Sequence, residues 1–231
     1  MNSPSSSIIN RVVVITGATG ALGIETAHAF AGRGHSLVLL DRNQDRLDAL
    51  SRDLNLPEER LSASVIDLRD RDAIHAAAEA VSVKFGGAHG LIHLVGGWVG
   101  GKTIVDSGAE DLESMLGQHV WSTFHLFQAF APQLAGNGWG RIMIVSSSTV
   151  PEAPATRGIY TAAKAAQENL VLSIGAELNE SGVTANIIQV RAIDVKNEGT
   201  GTTPEEIAAA MLYLFSDEAA RVNRARIPLF E

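Results

Sequence analysis

The chain has 231 residues, 45% hydrophobic and 19% charged, which suffices for one globular core and is too apolar for a disordered chain. Its formal net charge of −8, from 18 Lys and Arg against 26 Asp and Glu, provides no basic stripe for a phosphate backbone, so no nucleic-acid partner is expected. The absence of cysteine excludes disulfides, thiolate metal sites and a Cys nucleophile, and fits a cytoplasmic protein.

Residues 1–10 read as a disordered lead-in, because Met1-Asn2-Ser3-Pro4-Ser5-Ser6-Ser7 lacks the basic region and apolar core of a signal peptide. No apolar run approaches the roughly 18 residues of a membrane span, so a soluble protein without a membrane partner is expected. Residues 11–231 form one domain with no internal repeat and no separating linker. Strands are predicted over Arg11–Thr16, Ser36–Leu40, Leu61–Ile66, Gly90–Val95, Arg141–Ser146 and Thr184–Gln189. Their interiors, such as Val12-Val13-Val14-Ile15, are apolar without alternation, as strands covered on both faces should be. Helices are predicted over Ala21–Gly32, Gln44–Leu54, Asp72–Phe85, Leu112–Leu134, Ile159–Ser181 and Pro204–Phe215, the last opened by Thr203 as N-cap, Pro204 and Glu206. The alternation predicts an α/β protein with a Rossmann-type, doubly wound parallel sheet in three αβα layers.

The first predicted strand runs into Thr16-Gly17-Ala18-Thr19-Gly20-Ala21-Leu22-Gly23, and a helix follows. Gly17 permits a tight turn, Gly20 a close approach of backbone to pyrophosphate, and Gly23 close helix–strand packing. The N–H groups around Thr19, Ala21 and Leu22, at a positive helix end, suit an anion. This arrangement predicts a dinucleotide site. Asp41 ends strand two, 18 residues after Gly23. Its carboxylate suits the ribose hydroxyls of NAD and opposes the 2′-phosphate of NADP, whereas Arg42 would favour that phosphate; capping of the next helix is the plainer role for Asp41. NAD is the expected cofactor, with NADP the alternative. Asp67 is placed to meet the adenine edge through its side chain or the neighbouring backbone of Leu68, or to serve as a turn residue.

Tyr160 and Lys164 open a long helix four residues apart, on one face. A phenol with an ordinary pKa of about 10 is a poor base at neutral pH, and a neighbouring ammonium would lower that value. Ser147 stands 13 positions before Tyr160, where its hydroxyl can orient a carbonyl.

The glycine loop, Ser147 and Tyr160-x-x-x-Lys164, in this order from Val12 to about Ala220, resemble the short-chain dehydrogenase/reductase family. The resemblance implies hydride transfer at a nicotinamide to or from a small-molecule carbonyl or alcohol. Tyr160 would be the general acid/base, Lys164 would bind the nicotinamide ribose and tune the phenol, and Ser147 would polarise the carbonyl. It also implies a homodimer or homotetramer packed through the helices near Leu112–Leu134 and Ile159–Ser181. Apolar Phe124, Leu126, Phe127, Leu170, Leu172 and Ile174 would supply a second face there.

Four features depart from the family. The glycines fall as Gly-x-x-Gly-x-x-Gly; the usual Asn-Asn-Ala-Gly gives way to Leu94-Val95-Gly96-Gly97, with Gly96 on the expected cofactor course; His119 stands where the family carries a relay Asn; and Val190-Arg191 replaces Pro-Gly, with a shortened lid before Pro204. His119 can relay protons or simply pack within its helix. Gly-Ala-Leu-Gly and Gly97-Trp98 also resemble the quinoid dihydropteridine reductase branch, which implies a flat bicyclic substrate stacked on Trp98; Ser147 departs from that branch. The six other histidines form no metal grouping. The alternative to an enzyme is a cofactor-binding regulator that kept the fold without efficient catalysis.

Overall fold

The computed structural model describes residues 10–230, so the expected lead-in, Asn10 apart, lies outside the described residues. Seven parallel strands form one sheet in the order β3-β2-β1-β4-β5-β6-β7. They are β1 (Val12–Thr16), β2 (Ser36–Asp41), β3 (Leu61–Val65), β4 (Gly90–His93), β5 (Gly140–Ser147), β6 (Val183–Val190) and β7 (Arg226–Pro228). The central strands β1, β4 and β6 are buried along their whole length; β1 is an unbroken apolar run from Val12 to Ile15, whereas β6 also buries Thr184, Asn186 and Gln189. Edge strand β3 is half-exposed, and its small and polar residues fit that place.

Helices cover both faces: α1 (Ala21–Gly32), α2 (Gln44–Leu54) and α7 (Pro204–Phe215) on one, α3 (Arg71–Phe85), α5 (Ser122–Gly136) and α6 (Gly158–Glu177) on the other. Successive residues of β1 serve the two faces. Val12 and Val14 pack with Ile74, Phe130 and Val171, whereas Val13 and Ile15 pack with Phe30, Leu47 and Met211. Each fully buried side chain of this size contributes about 1.5–3 kcal/mol. This confirms the single-domain, doubly wound α/β architecture.

Local signals set the helix ends. Thr203 caps α7 in a reciprocal box with Glu206, with Pro204 at the first helical position. Asn43 accepts from the Arg46 amide to cap α2, so that role does not fall to Asp41. Asp70 caps α3. The single helix expected over Leu112–Leu134 is instead α4 (Ala109–Met115), a π-helical turn (Leu116–Trp121) and α5. β7 is additional to the predicted strands. Leu126 and Phe127, expected to offer a second face, lie in the core, and Leu170, Leu172 and Ile174 pack partly buried against it.

The strand order reverses between β1 and β4, and the crevice at such a switch point is where this fold binds ligands.

Candidate active site

The turn between β1 and α1 starts with Gly17 at φ +69°, a conformation that disfavours L side chains. A Cβ on Gly23 would lie 2.7 Å from the carbonyl carbon of Ala18, so the helix can seat against the loop only with glycine there. Gly20 caps α1 without any side-chain hydrogen bond, and the first turn of α1 holds no acidic residue. The first N–H groups of α1 thus have no acidic partner within their own turn, which fits a pyrophosphate. The Thr19 N–H expected to join them is already taken by the Asp41 carboxylate.

On one side of this loop a groove of about 330 Å³ is lined by Thr19, Asp41, Arg42, Asp67 and Leu68. The Asp41 carboxylate accepts from the Thr19 amide at 3.0 Å and from the Arg42 amide at 2.7 Å, fixing it beneath the glycine loop. Asp67 pairs with Arg69 at 2.6 Å, and that guanidinium holds its carboxyl down at about 2. Arg46, Arg69 and Gln118 also line the groove and were not anticipated from the sequence.

On the other side a cleft of about 460 Å³ brings together Gly96, Trp98, His119, Ser147, Tyr160 and Lys164. Ser147 ends β5, and its hydroxyl bonds Thr149 at 2.9 Å in the same cleft as Tyr160. Tyr160 and Lys164 lie one turn apart on α6. Burial pushes the Tyr160 phenol above its usual 10, with Ser147 and the Arg157 charge pulling the other way. The expected lowering of this phenol is therefore not what the structure gives. Lys164 points its ammonium at the Val145 carbonyl (2.7 Å) and Gln167 (2.9 Å), and burial lowers it to about 8, opposed by Glu168.

His119 sits in the π-helical turn, a distortion that recurs at functional sites. It is 1% exposed, with its ring 5.8 Å from that of Tyr160 in an edge-on arrangement. Its Nε2 is 3.0 Å from the Gly97 carbonyl, which can only accept, so Nε2 carries the hydrogen. Nδ1 is buried without a partner. Burial and the Lys164 charge lower its pKa to about 4, leaving a neutral acceptor. A Cβ on Gly96 would lie 2.9 Å from this ring, so the glycine makes room for the imidazole. His93, at the end of β4, bridges Thr16 (2.7 Å) and Ser122 (3.2 Å) in full burial, which lowers it to about 3.

Trp98 is 57% exposed at the mouth of the cleft, beside Ile193 and Val195, which sequence reasoning missed. Residues 191–203 hold no helix; they form a tight loop in which Asp194 accepts from the Glu198 and Thr200 amides at 3.0 Å. The short lid expected there is thus a compact turn. Among the described residues no three His, Asp or Glu side chains converge on a metal site. No described helix is long and apolar enough to cross a membrane.

The fold and this crevice define a dinucleotide-binding class of α/β protein. Residues 11–205 match the short chain dehydrogenase family, and the chain belongs to it. It is 28% identical over 240 residues to the 7alpha-hydroxysteroid dehydrogenase of Escherichia coli, covering 96% of this chain and 93% of that one. It is also 28% identical to the meso-2,3-butanediol dehydrogenase of Serratia marcescens, over 95% of this chain and 93% of that one. An NADPH-bound short chain oxidoreductase of Pseudomonas aeruginosa with an atypical catalytic centre superposes with a TM-score of 0.87, at 26% identity and 94% coverage of both chains.

Proposed function

We propose that this protein is an NAD(P)-dependent oxidoreductase that interconverts a carbonyl and an alcohol, with Ser147, Tyr160 and Lys164 as its working residues and NAD as the preferred cofactor. The observation that carries this reading is the convergence of those three side chains on one cleft that continues into the glycine loop. The dinucleotide supplies or takes the hydride when bound. Gly17, Gly20 and Gly23 would leave room for its phosphates, and Asp41 and Asp67 would hold its adenosine half. The fixed Asp41 carboxylate favours a ribose with free hydroxyls over a 2′-phosphate.

Within the cleft, Ser147 donates to the substrate oxygen and orients it beside the Tyr160 phenol. Tyr160 gives its proton to the developing alkoxide in reduction and removes the proton from the alcohol in oxidation. The high phenol pKa suits the first of these roles at neutral pH. Lys164 keeps one ammonium N–H for the cleft, where it would hold the nicotinamide ribose. His119, neutral and with Nδ1 bare, offers an acceptor behind Tyr160. Trp98, Ile193 and Val195 give the mouth an apolar rim, which suits a substrate with a hydrophobic body. The intact Ser147, Tyr160 and Lys164 favour turnover over a binding-only role. The test is a panel of hydrophobic ketones, diketones and secondary alcohols assayed with NADH, NADPH and their oxidised forms. Cofactor-dependent turnover of a carbonyl or alcohol is expected; cofactor binding with no turnover across the panel would favour the regulator.

A further inference from the structure

The face that α6 turns to the sheet carries Tyr160, Lys164, Gln167, Glu168 and Val171, at the spacing of a single helical stripe. Gln167 and Glu168 are each 1% exposed. Polar groups this deeply buried are costly unless hydrogen-bonded, so each needs a full set of partners. Glu168 finds them toward β7, in Ser146 (2.7 Å), Gln189 (3.2 Å) and Arg226 (2.6 Å). Gln167 finds them toward the active site. Its Oε1 accepts from Lys164 Nζ at 2.9 Å, and its Nε2 donates to Thr123 Oγ1 at 2.8 Å. Thr123 in turn donates to the backbone carbonyl of His119 at 2.6 Å.

This chain of contacts has one direction. The ammonium can only donate, so the amide oxygen must face it and the amide nitrogen must face α5. Thr123 is then committed as acceptor to Gln167 and as donor to the π-helical turn. A leucine would fill the space occupied by Gln167, but would leave the buried ammonium with one protein acceptor, the Val145 carbonyl. With Gln167 present, two N–H groups of Lys164 are tied down and one is left for the cleft.

We infer that Gln167 is a positioning residue for Lys164, a braced amide that fixes the orientation of the ammonium and stabilises its charge at the active site. The inference rests on the role proposed for Lys164 in turnover, and the experiment separates the two. An amide oxygen that accepts from the charged form raises a lysine pKa, so Gln167 works against the burial that lowers Lys164 to about 8. The other groups facing Lys164 are Tyr160 and Glu168 on α6, His93 on β4 and His119 in the π-helical turn; Arg226 of β7 reaches it through Glu168. His93 and His119, lowered to about 3 and about 4, stay neutral across the range in which Lys164 titrates, and Tyr160 titrates above 10. A shift between about pH 6 and 10 therefore reports on Gln167.

Lys164 is one of four lysines in the chain, so its ε-carbon resonance can be followed in protein labelled with 13C-lysine. The resonance is identified by its loss in Lys164→Met and titrated in the wild type, Gln167→Met and Gln167→Glu. Gln167→Met, close in volume but without the amide, should lower the midpoint by about one unit. Gln167→Glu, which restores an acceptor and adds a charge, should raise it by about one unit or more. Thr123→Val, which removes the brace, should move it in the same direction as Gln167→Met and by less. The alkaline limb of the kcat/KM profile should follow each shift. Midpoints that coincide in all the Gln167 variants would overturn the inference. Midpoints that move while the kcat/KM profile stays fixed would uphold Gln167 and refute the role of Lys164 in turnover.

Discussion

His93 and His119 are buried beside the Lys164 ammonium, with pKa values of about 3 and about 4, so at about pH 5 both remain neutral in the folded protein. In the unfolded chain each returns to about 6.5 and takes up a proton. The unfolded state then binds more protons, and stability falls as pH falls. The sign follows from depressed histidines: their neutral forms cost nothing above about pH 6.5, and the penalty grows through the window down to about 4 and 3. At about pH 5 each contributes a loss on the order of 2 kcal/mol relative to neutrality, at about 1.4 kcal/mol per unit. The pair together loses about 3–4 kcal/mol, a large share of a typical stability of about 5–15 kcal/mol. Asp67, held at about 2 by Arg69, contributes only in stronger acid. Urea unfolding at about pH 7, 6 and 5 measures the slope directly. His35, also lowered to about 4 by burial, adds to the wild-type loss, so in His119→Asn the loss should shrink by about 2 kcal/mol, the share of His119 alone. A stability that is flat from about pH 7 to 5, or an unchanged slope in the variant, would refute the assignment of these two histidines as neutral buried groups.

Two other outcomes follow from the surface and the adenosine groove. NADH should bind more tightly than NADPH in a fluorescence titration, and Asp41→Ala should narrow the difference; tighter NADPH binding in the wild type would give the choice to Arg42 and Arg46. Leu112, Trp121 and Phe124 are 40%, 55% and 39% exposed along α4, the π-helical turn and α5, which suits a covered helical face. Light scattering should give a dimer or tetramer, and a monomer mass in dilute near-physiological buffer would contradict that assembly.

The spacing of apolar residues located α1, α2 and α7 to the residue, because their ends carry local signals: Gly20 ahead of α1, Asn43 ahead of α2, and the Thr203-Pro204-Glu206 start of α7. β7 escaped because it is three residues long, ends in Pro228 and is largely exposed, so it carries no apolar run. The π-helical turn escaped for a different reason. It inserts its extra residue within a continuous helical stretch, and the stripe on either side still reads as one helix. For the site, chain order sufficed to bring Ser147, Tyr160, Lys164 and His119 to one cleft. What it did not convey was where each polar tip points. Lys164 four residues after Tyr160 suggested that the ammonium tunes the phenol, whereas the side chain is drawn to Val145 and Gln167. A signal for this was present: Gln167 and Glu168 interrupt the apolar face of α6, and buried polar residues on such a face imply partners.

The central claim is that Tyr160 moves the proton that accompanies hydride transfer. Once a substrate has been found, steady-state turnover of Tyr160→Phe measured beside its cofactor affinity tests this most directly, because the change removes one hydroxyl from a residue of α6 and leaves the glycine loop untouched. General acid–base steps contribute about 10²- to 10⁴-fold. Turnover should drop by at least about 10²-fold with NADH affinity close to that of the wild type, and wild-type turnover in Tyr160→Phe would contradict the mechanism.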